Sequence, residues 1–197
     1  EDAKIIFLSG GLEERMNGSC AGGTGAFIDQ MATLLNVSSD ELDSLALKHE
    51  KIYPIASRCG VFAKTDVQPL LNQGARKEDI AASIFQAVVD QTIAGLAQGK
   101  VLFLGGPLYY YKGLQQRFVE TLKLGSGNAV FPDYGRFAVA MGAALFAGGV
   151  QKEFTFEELE AKLKDTSKQV ATTNYLEPLF RNQQEYQDFV ARHKAAT

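Results

Sequence analysis

Four glycines fall within the nine residues Asn17-Gly18-Ser19-Cys20-Ala21-Gly22-Gly23-Thr24-Gly25, and a helical pattern begins directly behind them. Before this stretch, Lys4 to Leu8 (Lys-Ile-Ile-Phe-Leu) is an apolar, β-branched run. Ser9-Gly10-Gly11 separates it from Leu12 to Met16, so the two read as a hairpin. After the glycines, Phe27, Met31, Leu34 and Leu35 recur at helical spacing over Ala26 to Leu35, with Thr24 placed as the cap. The sequence thus predicts strand, glycine loop and helix in immediate succession, with Cys20 delivered to a helix N-terminus.

A similar arrangement returns once. Ser38 with Glu41 forms a capping box for a second helix to about Lys48, and Lys51 to Ile55 reads as a short strand. Ser57-Arg58-Cys59-Gly60 then opens a helix from Val61 to Asn72, kept despite Pro69 and stopped at Gly74. The second cysteine therefore also sits between a strand and a helix start. Farther on, Ile80, Ile84, Phe85, Val88, Ile93 and Leu96 mark a long amphipathic helix from Lys77 to Gln98, ended by Gly99. Val101-Leu102-Phe103-Leu104 is suited to a strand covered on both faces and leads into Gly105-Gly106-Pro107. Leu114, Phe118 and Leu122 predict another helix, Ala129 to Phe131 a short strand, and Phe137 to Ala147 a helix of small residues. This alternation argues for an α/β layer architecture.

No glycine follows Gly149 and charge rises, so residues 1–149 read as one domain and 150–197 as a charged helical extension or connector. Thr155 and Glu158 form a capping box for a helix to about Lys168, and the remainder past Pro178 reads as a connector or docked arm. A length of 197 residues, 46% hydrophobic and 22% charged, fits a globular domain with an appendage and excludes a disordered chain. Twenty Lys and Arg against 23 Asp and Glu, a net charge of −3, leave no basic field for nucleic acid. No apolar run reaches the roughly eighteen residues a bilayer requires, and Glu1-Asp2-Ala3-Lys4 is not a secretory leader, so a cytoplasmic location without membrane contact is expected. The chain begins without Met and enters a strand-like run at once, as a piece of something longer would.

Helix starts carry unpaired N–H groups and partial positive charge, and glycines let backbone approach an anion closely. Gly22-Gly23-Thr24-Gly25 therefore suits a phosphate or an anionic cluster, or else serves only a tight turn; it is neither a Walker A loop nor a dinucleotide fingerprint. The same field stabilises a thiolate, the form that binds metal. Cys20 and Cys59 are the only cysteines, and the bland alternative for each is a small buried hydrophobe. Two thiolates do not close a tetrahedral or cubane site, and His49 and His193, both read as solvated surface residues, do not supply the rest. A two-fold dimer would turn two cysteines into four. Gly105-Gly106-Pro107, behind a buried strand, lies where open α/β sheets bind ligands, or is an ordinary turn. Tyr109-Tyr110-Tyr111 is either aromatic packing at the mouth of a cleft or filler at a helix start, and filler is the preferred reading.

Four ordered motifs, Asn17 to Phe27, Arg-Cys-Gly-Val-Phe-Ala (Arg58 to Ala63), Leu-Gly-Gly-Pro (Leu104 to Pro107) and Ala-Met-Gly-Ala-Ala-Leu (Ala140 to Leu145), together resemble the BadF/BadG/BcrA/BcrD ATPase family. More narrowly, the chain is similar to activators of 2-hydroxyacyl-CoA dehydratases, over about Glu1 to Gly148. The resemblance implies the actin-like, ribonuclease H-like fold of sugar kinases and heat-shock chaperones, here mainly its C-terminal part with a helical extension. It implies a homodimer with one bridging [4Fe-4S] cluster held by Cys20 and Cys59. It also implies ATP or ADP with Mg2+, the phosphates near Gly22, Gly23, Thr24 and Gly25, and adenosine near Gly105, Gly106 and Pro107. Asp2 stands where an acidic residue follows the family's second phosphate loop. The family's acidic N-terminal phosphate loop is not in this chain, so weak ATP binding or none is expected of it alone, and no catalytic residue is assigned. The activity implied is ATP-dependent transfer of low-potential electrons from a ferredoxin or flavodoxin-type donor to an iron-sulfur dehydratase or reductase in anaerobic metabolism. The alternative is an actin-like small-molecule (sugar) kinase with structural cysteines.

Overall fold

The structure, a computed structural model, describes residues 3–8, 11–16, 24–57, 59–92, 97, 99–150, 153–165 and 177–194. It divides into two compact units, Glu1–Gly149 and Val150–Thr197. In the first unit the elements run β1 (Lys4–Phe7), β2 (Glu13–Met16), α1 (Thr24–Leu35), α2 (Ser39–Ala46), α3 (Gly60–Asn72), α4 (Lys77–Gln91), β3 (Val101–Leu102), α5 (Gly106–Tyr110), α6 (Lys112–Thr121) and β4 (Ala129–Val130). A 3₁₀ turn, Gly135–Phe137, and α7 (Ala138–Ala147) complete it. The second unit holds α8 (Phe156–Lys164) and α9 (Gln183–Lys194).

β1 and β2 form the expected antiparallel hairpin, Lys4 opposite Met16 and Phe7 opposite Glu13. The packed centre is helical. Ile80, Ile84, Phe85, Val88 and Val89 on α4 are wholly buried, and Ile28 and Met31 of α1, Leu42 of α2 and Leu114 of α6 join the same cluster. The apolar period of α4 thus does what its spacing predicts. α1 ends at Asn36, which takes a left-handed φ of 54°. Lys77 Nζ then donates to the Leu35 carbonyl at 2.9 Å, a cation on a helix C-terminus. Ser38 caps α2 through the Glu41 N–H at 3.1 Å.

α6 receives its cap from another helix. Asp43 on α2 accepts from the N–H groups of Lys112 at 3.0 Å and Gly113 at 2.7 Å. Burial raises the Asp43 carboxyl above its ordinary range, and those two amides partly oppose the rise. Gly113 lets the helices come this close: a Cβ there would sit 2.9 Å from Ala46 Cβ, 3.0 Å from the Phe85 ring and 3.1 Å from Asp43 Oδ1.

Three expectations need correction. No strand forms over Lys51–Ile55. The stretch is extended, but its neighbours are helices rather than a sheet edge, so side chains satisfy its amides. Asp79 Oδ1 accepts from Glu50 and Lys51 at 2.8 and 3.0 Å, Ser83 Oγ from Tyr53 at 2.8 Å, and Asp66 Oδ2 from Ala56 at 2.8 Å. α4 itself ends at Gln91, where the Thr92 hydroxyl turns back onto the Val88 carbonyl at 2.7 Å; of the stretch expected to carry it on to Gln98, residues 93–96 and 98 lie outside the described residues. Val101–Leu104 is covered on one face only. β3 pairs in parallel with β4, Phe103 is buried and stacks on Phe131 at 4.5 Å, and Leu102 and Leu104 stay exposed.

In the second unit α8 has the full reciprocal capping box expected of Thr155 and Glu158, with bonds of 3.2 and 3.0 Å. α9 stands where the sequence reads as connector. Its start is fixed by Asn182, which accepts from the Glu185 N–H at 3.0 Å, while Phe180 packs on Tyr186 and Phe189 with ring centroids 5.4 and 5.2 Å apart. Among the described residues no helix is long and apolar enough to cross a membrane.

Candidate functional site

Cys59 is the N-cap of α3, with extended backbone (φ −147°, ψ 125°). Its carbonyl accepts the first helical bond, from Ala63 at 2.9 Å, but its side chain makes no capping bond. The sulfur is a free, half-buried thiol. The approach to it is pinned by the Ala56 bond to Asp66, and the helix then places Val61 and Phe62 on the surface, 71% and 66% exposed. By geometry the first N–H groups of α3 have no partner within the helix.

α3 starts against α1. A Cβ built at Gly60 would meet Phe27 at 3.7 Å and Gln30 Oε1 at 3.9 Å, ordinary contacts that place Gly60, the residue after Cys59, beside the early turns of α1. Thr24 is not the cap of α1 but its first helical residue. It is 9% exposed, and among the described residues its buried Oγ1 has no hydrogen-bond partner. Gly25 follows within the helix. Cys20, Gly22 and Gly23, with Asp2, lie outside the described residues. Among the described residues no three His, Cys, Asp or Glu gather into a metal-binding group. His49 is not a solvated surface residue: it is half-buried, with Nδ1 2.8 Å from the Ala46 carbonyl and Nε2 3.4 Å from Arg117 Nη1. His193 is exposed, with Nδ1 2.8 Å from the Phe189 carbonyl.

The second glycine turn carries a cavity. Gly105 has φ +100°, a left-handed region that favours glycine, and its N–H donates to the Gly135 carbonyl at 3.0 Å. Gly106 begins α5 with Pro107 in its first turn. Beside this turn lies a concavity of about 290 Å³ lined by Phe103, Tyr109, Tyr110, Gln115, Pro132 and Asp133 among others. Filler is the correct description of Tyr111 alone, which turns inward onto Phe85 at 5.7 Å and whose hydroxyl burial pushes up. Tyr109 and Tyr110 meet edge to face at 5.0 Å and form the cavity wall. Their place just behind the Gly105-Gly106-Pro107 turn is the sequence signal for this, but an aromatic triplet does not reveal which rings turn out.

A model of the BadF/BadG/BcrA/BcrD ATPase family matches residues 1–147. The (R)-2-hydroxyglutaryl-CoA dehydratase activating ATPase of Acidaminococcus fermentans is 35% identical over 154 residues, which is 75% of this chain and 57% of that protein. The crystal structure of component A of that organism's (R)-2-hydroxyglutaryl-CoA dehydratase superposes with a TM-score of 0.63 at 31% identity, covering 74% of this chain and 57% of the other. The activator of the 2-hydroxyisocaproyl-CoA dehydratase from Clostridium difficile, solved with bound ADPNP, gives a TM-score of 0.64 at 25% identity, covering 89% and 62%. The fold of residues 1–147 is thus the actin-like α/β fold of these activators, and the chain spans less than two thirds of their length.

Proposed function

Because the chain belongs to the BadF/BadG/BcrA/BcrD ATPase family, we propose that it is the cysteine-bearing part of an ATP-dependent activator that passes low-potential electrons to a 2-hydroxyacyl-CoA dehydratase or a related reductase. The observation that carries this reading is Cys59, a free thiol at the start of α3 that is not spent on capping, beside a second helix that begins four positions after Cys20. These residues fit a thiolate-ligated cluster at a helix start, where unpaired N–H groups favour negative charge. One chain offers two sulfurs, so a second copy related by a two-fold axis completes the set of four. A [4Fe-4S] cluster so bound would supply one-electron chemistry at low potential.

The chain's own part is to hold and orient. Cys20 and Cys59 are the proposed ligands. Gly22, Gly23, Thr24 and Gly25 are proposed for the nucleotide phosphates, with Asp2 and Mg2+ nearby, and the buried Thr24 hydroxyl is available for such a contact. Gly105, Gly106 and Pro107, with the aromatic-walled concavity beside them, are proposed for adenosine. Nucleotide can alter the arrangement of α1 and α3 only by binding two arrangements with different affinity. The partners are a second copy of the chain, an iron-sulfur dehydratase or reductase and a ferredoxin or flavodoxin-type donor, in the cytoplasm.

Anaerobic reconstitution with iron and sulfide tests the ligand set. About one cluster per two chains is expected, and Cys20→Ser and Cys59→Ser should each abolish its absorbance. A cluster that persists in both variants overturns the assignment.

A further inference from the structure

Resting on the nucleotide reading above, we propose that Arg136 is a positioning residue that fixes Tyr109 and Tyr110 as the wall receiving the planar base of a nucleotide. Arg136 lies on the 3₁₀ turn between β4 and α7. Its Nη1 donates to the Tyr110 hydroxyl at 3.0 Å. Its Cζ lies 5.0 Å from the centre of the Tyr109 ring, 6.0 Å from that of Tyr110 and 4.5 Å from that of Phe137. One guanidinium thus touches three rings, and two of them line the concavity. Among the described residues no carboxylate pairs with Arg136, although it is exposed; the group is committed to the rings.

Tyr110 is 57% exposed, and a ring so placed would ordinarily sample several rotamers. Stacking a base on it would then cost ordering entropy, which a ring already held in place does not lose again. The clamp is anchored at its other end as well. The Gly135 carbonyl takes the Gly105 N–H at 3.0 Å, and the Gly135 N–H donates to the Pro132 carbonyl at 2.9 Å. The turn that carries Arg136 is therefore tied to the glycine turn and to the cavity floor. A planar guanidinium can stack on one ring while hydrogen bonding to another, which an ammonium cannot match.

Adenosine is titrated into the wild-type chain, Arg136→Ala and Arg136→Lys, following the tyrosine ring NMR signals, with urea midpoints measured in parallel. The alanine variant should bind adenosine about five- to tenfold more weakly at an unchanged urea midpoint, and lysine should recover part of the loss. Equal affinity in all three proteins overturns the inference alone. So does a loss of affinity accompanied by a matching fall in the urea midpoint, which would make Arg136 a stability residue. Adenosine lacks the phosphates that the family's N-terminal loop would hold, so a wild-type chain that gives no response at millimolar adenosine overturns the adenosine reading of Gly105, Gly106 and Pro107 and this inference with it.

Discussion

Around Asp79 and Asp43 each carboxylate oxygen named above accepts from a backbone amide, whereas at the starts of α1 and α3 a buried hydroxyl lacks a partner among the described residues and a thiol caps nothing. The α2, α4 and α6 cluster satisfies these oxygens from within, and its one orphan among the described residues is Gln91 Nε2 in the last turn of α4. Among the described residues, the helix starts beside that cluster bury one unpaired hydroxyl and carry a half-buried thiol that makes no capping bond, and they set Val61 and Phe62 toward solvent. A buried group left unpaired costs stability and persists where something other than the fold calls for it. The contrast sets residues that hold the molecule together apart from residues proposed above for a ligand.

The comparison breaks most visibly at Asp79. Asp79→Ala leaves the Glu50 and Lys51 amides without their acceptor and should cost about 2–4 kcal/mol in urea unfolding. Burial alone would raise the Asp79 carboxyl, but those amides and Arg76 hold it below its ordinary value of 3.8. Its contribution is therefore fully present above that value and is lost as pH falls through it toward the lower folded value. The stability difference between wild type and variant should narrow as pH falls below that ordinary value, because the charge-dependent part of the Asp79 contribution is lost on protonation; a difference that stays constant in acid would refute the charge's role. A smaller effect is expected at Gly113→Ala. The methyl has to displace Ala46, Phe85 or Asp43, for about 1–2 kcal/mol of loss after the gain in helix propensity. A variant as stable as wild type would mean that α2 and α6 are not in close contact in solution. Smallest of all is Thr24→Val, which removes a buried hydroxyl that the described residues leave unpaired. Stability should stay within about 0.5 kcal/mol or rise, and a large loss would show that the hydroxyl belongs to the core after all.

How much the sequence reveals follows the same division. The buried face of α4 is legible because Ile80, Ile84, Phe85 and Val88 repeat with a helical period, and the caps at Ser38 and Thr155 because their chemistry is local. The helix behind Cys59 is legible from the glycines that bound it, Gly60 and Gly74. The stretch 51–56 misleads, because its extended backbone bonds to side chains nearly thirty residues away, a pattern that no local window contains. α9 is missed because its cap is Asn182 within a polar run and its apolar packing is a small aromatic cluster centred on Phe180. The cavity wall at Tyr109 and Tyr110 depends on how three consecutive rings divide between core and surface, which packing decides.

The stretch that ends at Cys59 hangs from Asp79 and Ser83 on α4 and from Asp66 on α3. The stretch leading to the sulfur is therefore placed jointly by α3 and the fifteen-residue α4 rather than by the loop's own backbone. A register slip of α4 would drag the thiol along, so an electron carrier mounted there would be surveyed from the deepest part of the molecule outward.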